Sequence, residues 1–147
     1  MSPRDRVCLI TFDEMSLKRG VRYNSSRDYF EGVEDYGPGI GRGKGIASQA
    51  LVVMVRGLTS HWKQVIGQFL SSTGVKCAVL EVIVRQAVDF IVHAGGHVKV
   101  LVCDQGSNNR ALFMKLEITV DQPFFFHNGC KIFCLYDPPH LMKSVRN

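Results

Sequence analysis

Val98-Lys-Val-Leu-Val-Cys103-Asp104-Gln-Gly-Ser-Asn-Asn109 is the stretch whose reading decides the fold. Its first six residues, rich in valine and leucine, read as a buried strand that stops at Asp104. Gly106 breaks the chain, and Ser107 stands where an N-cap would start a helix from about Asn108 to Leu116. A second strand, Ile132-Phe-Cys-Leu-Tyr136, follows. A strand–helix–strand crossover joins strands that run parallel, so the chain contains part of a parallel sheet.

Outward from that unit, the pattern changes. Val79, Val82, Ile83, Gln86 and Phe90 recur near a 3.6-residue period, and Gly95-Gly96 ends the predicted helix. His93 in its last turn complements the helix dipole, a structural role. Gln49 to Arg56 reads as a strand and Gly57 to Ser60 as a turn; in Trp62 to Leu70, Val65, Ile66 and Phe69 could line a helix or sit in a strand, and the short turn and Gly67 favour a hairpin return strand, with Trp62 as a packing anchor. Val7 to Phe12 is another strand, read as stopping at Asp13-Glu14. Gly20–Tyr23 and Asp28–Val33 flank the turn formers Asn24-Ser25-Ser26 and predict a small hairpin. At the other end, Asp137-Pro138-Pro139 launches a helix that runs to Arg146. Antiparallel hairpins followed by a parallel crossover predict a mixed sheet flanked by helices.

Residues 37–45 hold five of the fourteen glycines and read as a flexible loop with two cations, Arg42 and Lys44. They do not spell a phosphate loop. Pro38 stands where the first glycine belongs, and Gly45 where serine or threonine belongs. A nucleotide-binding function therefore has no support from this segment.

Composition narrows the class. The 147 residues suit one domain, 1–147, with 46% hydrophobic and 21% charged residues, which argues against disorder. No run reaches the ~18 apolar residues of a membrane span, and residues 1–6 do not read as a signal peptide. The net charge of +5 is a mild pointer to a polyanionic partner. Cys8, Cys77, Cys103, Cys130 and Cys134 are odd in number, and four lie in apolar runs, as buried thiols of an intracellular protein do. A zinc site built from His127, Cys130, Cys134 and His140 fails on reach. Residues four apart on a strand are about 13 Å apart, against ligand bonds of about 2.0–2.3 Å.

Two strands thus end in aspartate, at Asp13 and Asp104. If they are parallel neighbours, both carboxylates project from one sheet edge, where ligands of open α/β sheets bind. Paired carboxylates suit a hard divalent cation, and two such ions about 3.5–4 Å apart serve phosphodiester chemistry. On spacing alone, an aspartate after a strand is more often a turn former or cap.

Five blocks occur in order from about Val7 to Asn147. They are Leu9-Ile-Thr-Phe-Asp13-Glu14-Met15, Leu51 to Leu58, Trp62-Lys63-Gln64, Cys103 to Asn109, and Asp137 to Asn147. Together they resemble the RNase H-like domain of P-element transposases and of the related THAP-domain-containing transposase-like proteins. The resemblance implies an RNase H-like α/β fold with Asp13 and Asp104 as two acids of a metal-dependent triad that holds two magnesium or manganese ions. It also implies transposon-end DNA as partner, possible homo-oligomers and a nuclear location. The family's third acid, a glutamate, lies on a helix beyond a GTP-binding insertion, after the region resembled by Asp137–Asn147. The expectation is a catalytic domain truncated before its last catalytic helix. GTP would enter only through that insertion, and the family's zinc-dependent DNA-binding domain also lies outside this chain.

Within the chain, Glu14 alternates to the face opposite Asp13 if the strand continues, Glu117 is about three helical turns from Asp104, and Asp137 ends the last strand and could approach the site, although a helix N-cap suits it better. None is convincing as a third acid. Arg42 and Lys44 are the first candidates for phosphate contact, ahead of Lys18, Arg19, Arg22, Lys143 and Arg146. Two functions follow: part of a DNA-cleaving and strand-transferring transposase, or a non-catalytic transposon-derived module that binds DNA or protein.

Overall fold

Strand β1 (Val7–Ser16) is the axis of the fold: it pairs antiparallel with β6 (Gln49–Gly57) on one side and parallel with β8 (His97–Cys103) on the other. The computed structural model describes residues 2–146. In the last helix it describes the side chains other than those at 140, 141, 144 and 146. The other elements are β2 (Arg22–Asn24), β3 (Tyr29–Glu31), β4 (Val33–Asp35), β5 (Arg42–Ile46), β7 (Lys63–Ser71), α1 (Cys77–His93), α2 (Ser107–Lys115), β9 (Phe124–His127), β10 (Cys130–Tyr136) and α3 (Pro138–Arg146). Eight strands form one mixed sheet in the order β5-β4-β7-β6-β1-β8-β10-β9, while β2 and β3 form a separate hairpin. The predicted parallel crossover is present, with β10 parallel to β8.

Alternation builds the core. Cys8, Ile10 and Phe12 of β1 are buried, as are Leu51, Val53 and Val55 of β6, Val98, Leu101 and Cys103 of β8, and Ile132 and Cys134 of β10. Leu80, Ile83, Val84, Val88 and Ile91 of α1 follow helical spacing and join the same cluster, as do Leu112 and Phe113 of α2. Each such side chain contributes about 1.5–3 kcal/mol of burial. The strand residues of opposite parity stay more open: Val65 is 48% exposed, Leu135 51% and Phe126 61%.

Three expectations need correction. First, β1 does not stop at Asp13. It runs on to Ser16, because β6 continues the ladder to Met15↔Ala50 and Ser16↔Gln49. Second, the glycine-rich segment 37–45 is not a loop throughout. A tight turn closes when Gly41 N donates to Gly37 O, and Arg42–Ile46 then pairs with β4. Its glycines make room for a carboxylate. Glu34 Oε1 accepts from Ser72 N (3.1 Å) and Ser72 Oγ (2.5 Å), and Oε2 accepts from Gly45 N. A Cβ on Gly43 would overlap Glu34, and one on Gly45 would sit 2.9 Å from Glu34 Cδ. Third, Ser107 is not the N-cap of α2. Gly106 is, and it makes no side-chain cap bond.

Trp62 anchors as expected, with Nε1 donating to Asp5 O at 2.9 Å. All five cysteines are free thiols. His127 is committed elsewhere: Nδ1 faces Arg85 Nη1 at 3.0 Å and Nε2 faces Asp89 Oδ1 at 2.7 Å. The side chains of His140 and Arg146 lie outside the described residues. Among the described residues no helix is long and apolar enough to cross a membrane.

Candidate active site

The parallel ladder brings the two aspartates together. The last pair of the β1–β8 ladder is Thr11↔Val102, and two residues further along the chain from each stand Asp13 and Asp104. Neighbouring strands are about 4.8 Å apart, so the acids project side by side from one sheet edge. Tyr136↔Cys103 brings the end of β10, and with it Asp137, up beside Asp104, and Asp137 N donates to Cys103 O at 2.8 Å.

Each carboxylate is half committed. Asp13 Oδ1 accepts from Glu14 N at 2.9 Å. Asp104 Oδ1 accepts from Gly106 N at 2.8 Å and Asn109 Nδ2 at 2.7 Å. The first of these is an Asx turn, which aims α2 away from the strand and replaces the expected serine cap. The Oδ2 atoms of Asp13 and Asp104 accept no hydrogen bond from any described residue, so one oxygen of each remains available. Two hard, adjacent carboxylate oxygens suit magnesium or manganese as a partial donor set. Among the described residues no three His, Cys, Asp or Glu side chains are grouped to hold a metal ion.

A cavity of about 210 Å³ opens at this edge, lined by Asp13, Asp104, Thr73, Ser107, Asn108 and Asn109 among others. Asn109 is a positioning residue that the sequence reading left without a role. Its only signal was its place five residues after Asp104, in the first turn of α2. Larger clefts of about 400 and 420 Å³ run between α1 and β7 around Ile66 and Phe90, and no carboxylate lines them.

The remaining candidates do not complete the pair. Glu14 lines the same cavity, but its carboxylate is held towards the start of α1, where Oε1 accepts from Val75 N at 2.6 Å. Glu117 lies just past α2 with φ 57°. Lys44 and Arg42 ride on β5, four strand spacings from β1, or about 19 Å. Arg42 is also spent internally. Its Nη2 donates to Phe30 O, its Nε lies 3.8 Å from Asp35 Oδ2, and its guanidinium stands 4.6 Å over the Tyr29 ring. Lys44 is exposed and makes no ion pair with a described residue.

Comparison with known proteins agrees with this architecture. Residues 1–117 match the family described as TNP-like, RNase H N-terminal domain. The Transposable element P transposase of Drosophila melanogaster is 32% identical over 147 residues, covering 97% of this chain and 17% of that protein. The solved Drosophila P element transposase strand transfer complex superposes with a TM-score of 0.79 at 28% identity, covering 98% of this chain and 29% of that one. The chain therefore spans less than a third of either relative. With its central parallel β1–β8–β10 unit and this family match, the chain belongs to the TNP-like RNase H N-terminal domain family of the P-element transposases.

Proposed function

We propose that this chain is the sheet portion of a P-element-type transposase catalytic domain, which cleaves and joins DNA as part of a longer protein. Asp13 and Asp104 are the residues that would hold the divalent ions. Magnesium or manganese supplies there the charge that activates a hydroxyl and stabilises the leaving oxygen of a phosphodiester. The chain's own part is positional: β1 and β8 fix the two acids, and Gly106 N and Asn109 hold Asp104 with one oxygen free. The observation that carries the reading is the parallel register that aligns two half-committed aspartates. A nuclear location and transposon-end DNA belong to the same proposal.

The test is nicking of DNA by the full-length protein in magnesium or manganese. Asp13→Ala and Asp104→Ala are each expected to abolish nicking and leave the circular dichroism unchanged. Cleavage retained by both variants overturns the assignment.

The alternative reading is a non-catalytic DNA- or protein-binding module. Magnesium titration separates the two. Salt-sensitive DNA binding without millimolar metal affinity selects the module.

A further inference from the structure

The hairpin that follows β1 in sequence carries a second set of cations, besides those of the glycine-rich segment. Asp13 lies three residues before the end of β1, and the chain leaves that end directly into the β2–β3 hairpin. The hairpin and its lead-in carry Lys18, Arg19, Arg22 and Arg27, all exposed. None of the four side chains makes a hydrogen bond or ion pair with a described residue. The register Tyr23↔Phe30 puts two aromatic rings on one face, 5.3 Å between centroids, with Tyr23 51% and Phe30 56% exposed. Exposed paired rings beside unpaired cations are the combination that binds single-stranded nucleic acid, phosphates on the cations and a base on the rings.

The hairpin is also held rigidly. Its opposite face carries Tyr29, clamped under Arg42, whose Nη2 donates to Phe30 O. The two legs cross where Gly32, at φ 87°, meets Gly20, and a Cβ on Gly32 would overlap the Gly20 carbonyl. Ala47 N donates to Gly32 O, which ties this base to the start of β6. Arg42 thus acts through the hairpin and leaves the outer ring face free.

We propose that the β2–β3 hairpin is a clamp for single-stranded DNA, with Lys18, Arg19, Arg22 and Arg27 on phosphates and the Tyr23–Phe30 pair stacked on an unpaired base. The inference rests on the DNA reading above but needs neither metal nor the third acid.

The test is fluorescence anisotropy of the full-length protein in EDTA, with a blunt duplex probe and the same duplex carrying a single-stranded extension. Replacing the four cations by alanine should lower the log–log salt slope for the extension by about 3, at about 0.7 per phosphate. Arg19→Lys/Arg22→Lys/Arg27→Lys should keep the parental slope, and both variants should melt with the parent. Tyr23→Ala/Phe30→Ala should weaken extension binding about tenfold and spare the blunt duplex and the slope. An unchanged slope in the alanine variant, an equal aromatic loss on both probes, or no DNA binding by the parent in EDTA overturns the clamp. Asp13→Asn and Asp104→Asn should bind both probes normally. Nicking retained by both variants with clamp behaviour intact sinks the catalytic reading alone, and clamp behaviour lost with nicking abolished by both sinks the clamp alone.

Discussion

Replacing Asp104 by asparagine should stabilise the metal-free protein and abolish its response to magnesium. Asparagine Oδ1 still accepts from Gly106 N and Asn109 Nδ2, so the Asx turn survives. What changes is the charge on the free oxygen. Two unit charges about 5 Å apart repel by about 1 kcal/mol in a water-like dielectric, and Asp13 is exposed, so the water-like figure applies. Relief of that repulsion raises Tm by about 3 °C for a domain of this size. In the parent, about 20 mM magnesium with a Kd of about 1 mM stabilises by about 1.8 kcal/mol, or about 5 °C. The order of the two melting temperatures therefore reverses between EDTA and magnesium. Differential scanning fluorimetry reads this directly, with sodium chloride matching the ionic strength because exposed charges are screened. A variant that melts several degrees below the parent in EDTA, or that keeps the magnesium response, refutes the reasoning.

Other consequences can be checked on the same protein. Gly43→Ala should cost about 1–3 kcal/mol by crowding Glu34, and clearly less in a Glu34→Ala background, where only the Glu34 Cβ remains at 2.9 Å, and urea unfolding of the cycle measures this. The Ser72 hydroxyl and amide hold the Glu34 carboxyl below its ordinary 4.5, so its stabilisation is complete above about pH 4.5 and lost as pH falls through the lower folded value. Glu34→Gln should accordingly flatten the acid limb of a stability–pH profile, and an unchanged limb would show that other carboxylates dominate it. Burial pushes the Cys134 thiol up to about 12 and raises Cys103 and Cys8 as well, while Cys77 and Cys130 are half-buried. A thiol-specific reagent at pH 8 should label at most two sites rapidly in the native protein and all five in denaturant.

The long apolar runs were legible because their pattern is their cause. Val98–Cys103, Gln49–Arg56 and the 3.6-residue period of α1 each read correctly within a few residues. The crossover rule then delivered β10 parallel to β8, whereas the parallel pairing of β1 with β8, which sets the two aspartates side by side, stood only as a condition. What escaped was set by distant partners. The strand Arg42-Gly-Lys-Gly-Ile46 contradicts strand propensity, and its glycines make sense only once Glu34 lies against them. The polar end of β1, Asp13 to Ser16, looks like a terminus until β6 pairs with it. Phe124–His127 is too short for a period to show. Arg42 looked like a free cation because Tyr29, Phe30 and Asp35 converge on it only in three dimensions.

The central position of β1 also sets an order of events. Asp13 and Asp104 are 91 positions apart in the chain, and β8 must dock on β1 before they become neighbours. Pairings of such long separation form slowly, since loop closure must be met before the contact rewards it. At about 5–20 residues per second, a ribosome has exposed β1 for several seconds before β8 follows. During that interval β1 can pair with β6 alone, and the nascent chain shows each acid singly.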